Sequence, residues 1–147
     1  MELLLKSDQL VATSRPKILA VDDDEDNLLL LTEVLEPMSC SFMTATHGQA
    51  ALSLAQDYQP DLILLDVMLP DFNGTEVIRH LRENPKTRMI PIVAVTALAR
   101  AEDRERLLLA GCDDYISKPY MLDDLEALIS HYLNPSRIPL NLYGEDC

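Results

Sequence analysis

The sequence predicts an α/β fold, a doubly wound parallel sheet with helices on both faces, and three observations carry that prediction. Aliphatic runs such as "DLILL" at residues 61–65 lack polar alternation, as strands covered on both faces do. Five such runs alternate with five segments of helical periodicity, the order that a sheet with crossover helices requires. The connections are short, so consecutive elements lie side by side.

Taken in order, "KILAV" from Lys17 is the first strand, and it stops abruptly at the acidic loop "DDDED". "NLLLLTEVLE" then sets Leu28, Leu31 and Leu35 at helical spacing. "CSFMTAT" is the second apolar run and "GQAALSLAQDY", rich in helix formers, the second helix. "DLILL" leads through "LPDFNG", whose Pro70 and Asn73-Gly74 signal a turn, into "GTEVIRHLREN" with Val77, Ile78 and Leu81 on one face. "PIVAV" is the fourth strand. "AEDRERLLLAG" reads as a charged solvent face over an apolar stripe, with Gly111 as its stop. "DDYIS" is the fifth strand, and "LDDLEALISHYL" closes the pattern with Leu125, Leu128, Ile129 and Tyr132 on its apolar face. Residues 16–134 form one domain, residues 1–15 a mobile leader and residues 135–147 a Pro-interrupted tail, both outside the pattern.

Composition narrows the function. The 147 residues suit one domain, 48% are hydrophobic, and two Phe, five Tyr and no Trp leave an aliphatic core. Twenty-five Asp plus Glu face 12 Lys plus Arg, a field that repels phosphate backbones and anionic lipid, so direct nucleic-acid and membrane binding are not expected. Cys40, Cys112 and Cys147 show no metal-ligand or disulfide spacing and read as free thiols of a reducing compartment. The opening "MELLLK" is too short and wrongly charged for a secretory signal, and no apolar run reaches membrane-spanning length, so a cytoplasmic location is expected.

The strand ends carry the chemistry, because ligands of open α/β sheets bind beyond the carboxyl ends of the strands. Strand one ends at Asp22 and Asp23, strand three at Asp66 and strand four at Thr96, while Lys118 and Pro119 follow strand five. If strands one and three are neighbours, three carboxylates converge. Two unit charges about 4 Å apart repel by about 4 kcal/mol at an effective dielectric near 20, so the cluster takes up protons or recruits a cation. Oxygen ligands with room for water favour Mg²⁺ over Ca²⁺. Lys118 and Thr96 supply a point charge and a hydroxyl for a phosphoryl group, towards which Asp66 can act as nucleophile.

The motifs "ILAVDDDEDN", "DLILLDVMLPDFNG", "PIVAVTALA" and "DDYISKP", in this order and at strand ends, resemble those of receiver domains of bacterial two-component response regulators over residues 16–134. The resemblance implies a flavodoxin-like (βα)5 sheet of strand order 2-1-3-4-5; a receiver of this family is itself a standard example of that order, which therefore rests on the resemblance and not on spacing. It implies Asp66 as phosphoacceptor, Asp22 and Asp23 as the acidic pair that holds Mg²⁺, and the Met68 carbonyl as a further metal ligand. Thr96 then corresponds to the switch hydroxyl, the Ala97 N–H to a phosphoryl donor, Lys118 to the family's lysine and Tyr115 to the aromatic whose rotamer follows the threonine. The Lys118–Pro119 peptide is expected to be cis.

The implied function is a stand-alone receiver, phosphorylated by a histidine kinase or phosphotransfer protein, that alters affinity for a downstream protein through the face of its fourth helix, fifth strand and fifth helix. It catalyses only its own phosphorylation and dephosphorylation, and a homodimer is left open. Met68 and Leu98 occupy positions that tune adduct lifetime in the family, and both are apolar. Two rivals remain. An aspartate-nucleophile phosphohydrolase of the haloacid-dehalogenase type needs a second acid where this chain has Met68, and a degenerate receiver acting as a binding module would not need so complete a site. Taken singly, the acidic triplet could merely cap a helix, and Tyr115 could be packing. His47, His80 and His131 have no companions and read as surface residues, and the methionines as core filler.

Overall fold

The computed structural model describes residues 15–97 and 100–133. The leader other than Arg15, the tail, Leu98 and Cys147 lie outside the described residues. The elements run β1 (Lys17–Val21), α1 (Glu25–Leu35), a 3-10 turn (Glu36–Met38), β2 (Ser41–Ala45), α2 (Gly48–Tyr58), β3 (Leu62–Leu65), α3 (Gly74–Glu83), β4 (Ile92–Thr96), α4 (Ala101–Ala110), β5 (Asp114–Ser117) and α5 (Leu122–Leu133). All strand pairs are parallel and the order is β2-β1-β3-β4-β5.

Alternation along each central strand divides the core in two. Ile18, Ala20, Leu62, Leu64, Val93 and Val95 point to one face, where they meet Leu28, Leu31, Val34 and Leu35 of α1 and Leu125 and Ile129 of α5. Leu19, Val21, Ile63, Leu65, Ile92 and Ala94 point to the other, against Ala51 and Ala55 of α2, Val77, Ile78 and Leu81 of α3 and Leu107 of α4. Burial on both faces is the physical reason that "LILL" shows no polar alternation.

The apolar stripe expected of "AEDRERLLLAG" is narrower than its composition suggests. Leu107 alone is buried within α4, while Leu108 and Leu109 stand in solvent. Helical spacing allows one residue of a "LLL" run to face the sheet and turns its neighbours outward. Gly111 ends this helix at φ +118, a conformation that costs a residue with a Cβ far more than glycine. Strand β5 begins at Asp114, and its residues are only partly buried, as befits the sheet edge.

Caps fix where the helices start. The Asp24 carboxylate accepts from the Asp26 N–H at the head of α1, and Asn73 with Glu76 forms a capping box on α3. Gly74 lets α3 begin against the preceding loop, since a Cβ there would lie 2.4 Å from the Val67 Cα. At the far end of α3, the Arg82 guanidinium donates to the carbonyls of Gly111, Arg88 and Ile90 and to the Asp113 carboxylate, at 2.7–2.9 Å. It joins the end of α4 to the approach to β4.

Candidate functional site

Register delivers the site. Val21 and Leu65 are partners at the ends of β1 and β3, so the next residues, Asp22 and Asp66, emerge side by side. The Asp66 N–H donates to the Val21 carbonyl at 2.9 Å, and the Asp22 N–H to Ala45 at 3.0 Å, which holds both just past the sheet. Thr96 pairs with Ser117 at the ends of β4 and β5, and the Lys118 N–H donates to the Thr96 carbonyl at 2.8 Å. The Lys118–Pro119 peptide is cis, as the resemblance implies.

Asp22, Asp23 and Asp66 each bring one carboxylate oxygen within 4.8 Å of the other two. Asp22 and Asp66 are only 2% and 7% exposed, whereas Asp23 faces solvent. Lys118 Nζ donates to Asp22 Oδ2 at 2.9 Å and to Asp66 Oδ2 at 3.1 Å, bridging the two buried acids. The remaining lone pairs are met locally. Asp22 Oδ1 accepts from the Asp24 N–H at 2.9 Å, Asp22 Oδ2 from Asn27 Nδ2 at 3.2 Å, and Asp66 Oδ1 from the Met68 N–H at 2.9 Å.

Burial pushes the Asp66 carboxyl above its ordinary range and the Asp22 charge adds to the rise, against the lowering effect of the Met68 N–H and Lys118. For Lys118, burial works against the charged form, but hydrogen bonds and charge attraction from Asp22 and Asp66 prevail and raise its pKa. Three acids and one ammonium leave the cluster negative. Its donors are all oxygens, and an exposed member leaves space for water, a set that suits Mg²⁺.

The acidic triplet is thus divided between two tasks: Asp24 caps α1 while Asp22 and Asp23 join Asp66. Thr96 is fully buried at the end of β4, and Ala97 beside it is exposed. Met68 is exposed, with its N–H turned to Asp66. Tyr115 lies half-buried on β5, beneath the Arg104 guanidinium, which stands 4.9 Å from the ring centroid. Grooves flank the cluster on both sides. One of about 460 Å³ lies beside Asp23 and Met68, and reaches Arg106 of α4. The other, of about 400 Å³, lies beside Asp22 and Lys118 and is walled by Leu30 and Tyr120. His47, His80 and His131 are all exposed. Cys40 and Cys112 are free and buried.

Several participants escape a reading by strand ends. Asn27 touches Asp22 from the first turn of α1, and its only signal in the sequence is a polar residue ahead of "LLLL". Arg104 looks like one of several solvent charges in "RAEDRER", yet its Nε is buried without a hydrogen-bond partner. Asp71 reads as a turn residue of "LPDFNG"; its carboxylate instead caps α2.

A family model of the response regulator receiver domain matches residues 18–130. The polar-differentiation response regulators DivK of Brucella anthropi and Brucella melitensis are each 38% identical over 116 residues, which is 79% of this chain and 94% of theirs. Among solved structures, a CheY-like receiver domain from Methanospirillum hungatei is 29% identical, with a TM-score of 0.77 over 85% of this chain and 98% of that one. The receiver domain of a Pseudomonas aeruginosa sensor histidine kinase, solved with a magnesium ion coordinated in its active-site cleft, is 30% identical, with a TM-score of 0.75 over 81% of this chain and 98% of that one. No helix among the described residues is long and apolar enough to cross a membrane.

Proposed function

The chain belongs to the response regulator receiver family, and from that premise we propose that it is a phosphorylation-driven switch with Asp66 as phosphoacceptor. The observation that carries the reading is the meeting of Asp22, Asp23 and Asp66 within 4.8 Å, with Lys118 bridging two of them. An oxygen of Asp66 attacks the phosphorus of a phosphohistidine on a kinase or phosphotransfer protein. A P–O bond forms as the P–N bond breaks, and the imidazole leaves with a proton. Asp22, Asp23, Asp66 and the Met68 carbonyl are the groups that would hold Mg²⁺, whose chemistry is to neutralise charge on the transferring oxygens. The magnesium in the Pseudomonas receiver supports that choice of ion.

Lys118 supplies the opposing charge, and Thr96 and the Ala97 N–H donate to the bound phosphoryl group. Thr96 moving towards that group frees room for Tyr115, and the surface of α4, β5 and α5 changes its affinity for a downstream protein. The protein works in the cytoplasm and performs no chemistry beyond its own phosphorylation and slow hydrolysis. The apolar Met68 leaves an attacking water without a polar partner on its side of Asp66, which favours a long-lived adduct.

Incubation with Mg²⁺ and acetyl phosphate, followed by intact-mass measurement, tests the assignment. A labile single-phosphoryl adduct that EDTA prevents and Asp66→Asn abolishes is expected. Sustained phosphate release without an adduct would instead mark a phosphohydrolase, and no adduct at all a binding module.

A further inference from the structure

The N-terminus of α2 has no cap of its own. His47 occupies the cap position and its side chain bonds none of the first N–H groups. Those of Gly48 and Gln49 donate instead to Asp71, at 2.7 and 3.0 Å, across more than twenty residues of chain. The same carboxylate accepts from the Phe72 N–H at 2.9 Å, within its own loop. These donors, those of Gln49 and Gly48 foremost, hold the Asp71 carboxyl below the usual carboxylate range.

The loop so anchored is the one that follows Asp66. Its base is closed by an antiparallel bridge between Met68 and Asn73 and by the Gly74 N–H on the Val67 carbonyl at 2.7 Å. Its apex is pressed onto α2 closely enough that a Cβ on Gly48 would lie 2.7 Å from the Phe72 ring. At the base itself, the Met68 N–H holds Asp66 Oδ1. A loop pinned only at its base could twist the bridge and turn Met68, one of its two partners; the contact to α2 removes that freedom.

We propose that Asp71 is a positioning residue: by capping α2 from the neighbouring loop, it holds Met68 and Asp66 in the geometry that the metal site needs. The proposal rests on the Mg²⁺ reading given above. Groups that orient metal ligands without touching the metal commonly carry about ten- to a hundred-fold of its affinity.

The test uses the full chain as wild type, Asp71→Ala, Asp71→Asn and the double variant Asp71→Ala/His47→Asp. Mg²⁺ affinity is followed by calorimetric titration, thermal midpoint in EDTA, and hydrogen exchange of the Met68, Asn73 and Gly74 amides in EDTA. Asp71→Ala is expected to weaken Mg²⁺ binding about ten-fold and to speed exchange of those amides. Asp71→Asn, which keeps an acceptor oxygen, is expected to lose less. The added His47→Asp returns a local cap to α2 and the missing negative charge, so the midpoint should recover while Mg²⁺ affinity stays low.

Recovery of affinity together with the midpoint would reduce Asp71 to a helix cap and overturn the proposal, as would unaltered Mg²⁺ binding or unaltered exchange in Asp71→Ala. Wild type that fails to bind Mg²⁺ at all would count against the metal reading instead, and faster loop exchange in the variant would then still support the tether.

Discussion

Replacing Lys118 by Met keeps the length of the side chain and removes the ammonium from between Asp22 and Asp66. At 2.9 and 3.1 Å, each contact carries about 5–6 kcal/mol of gross Coulomb attraction at an effective dielectric near 20. The ammonium regains its hydration on unfolding, which offsets most of that sum. What remains in the variant is two buried carboxylates without a counter-charge, and losing one partner of a buried pair costs about 3–5 kcal/mol. Access of water from the Asp23 side and proton uptake by Asp66 lower the expected loss to about 2–4 kcal/mol in EDTA, or roughly 8–16 °C in thermal midpoint.

A bound dication restores positive charge to the same oxygens. Mg²⁺ should therefore bind Lys118→Met about ten-fold more tightly than wild type, and saturating Mg²⁺ should narrow the stability gap. Because the Lys118 pKa is raised, its contribution is fully present below pH 10.5 and fades as the pH climbs through the folded-state value, so the gap should close in strong alkali. Urea unfolding over a series of Mg²⁺ concentrations, and in EDTA at stepped pH, measures these effects. A loss below about 1 kcal/mol in EDTA, or a gap that Mg²⁺ leaves unchanged, would refute the counter-charge role.

Asp66→Asn should behave in the opposite sense in EDTA. The raised pKa of Asp66 means its ionised form costs stability; that cost is absent below pH 3.8, grows as the pH rises and is complete above the folded-state value. The Asn variant should overtake wild type across that window in urea melts at stepped pH. Arg82→Met removes four hydrogen bonds from a charged donor and should lose about 2–4 kcal/mol by chemical denaturation, allowing for water that replaces some of them. Arg104→Met should free the Tyr115 ring from its cation, a contact worth about 0.5–2 kcal/mol. Tyr115 resonances that shift towards the phosphorylated spectrum before any phosphodonor is added are expected, and an unchanged spectrum would remove Arg104 from the switch.

Much of this architecture is legible because the strands are buried on both faces. Unbroken runs such as "LILL" and "IVAV" have one structural explanation, and the residues that interrupt them, Asp22, Asp66 and Thr96, announce themselves by contrast. The order that brings β1 beside β3 is not a local property and rests on the resemblance. The reading fails where a polar residue acts across the fold. Arg82 and Arg104 sit in surface stretches full of charge and Asp71 in a turn, and only the packing of distant elements reveals which neighbours they meet. The "LLL" of α4 misleads for a related reason, since hydrophobicity alone does not tell which leucine the helix turns inward.

That sparse seating of α4 has a thermodynamic consequence. With Leu107 its one buried side chain among the described residues, the helix gains little from its present berth. Detaching or re-seating it therefore demands far less than melting α3, which is rooted by Val77, Ile78 and Leu81. In the proposed switch, a covalent event at Asp66 would meet in this helix an exterior element seated more lightly than α3.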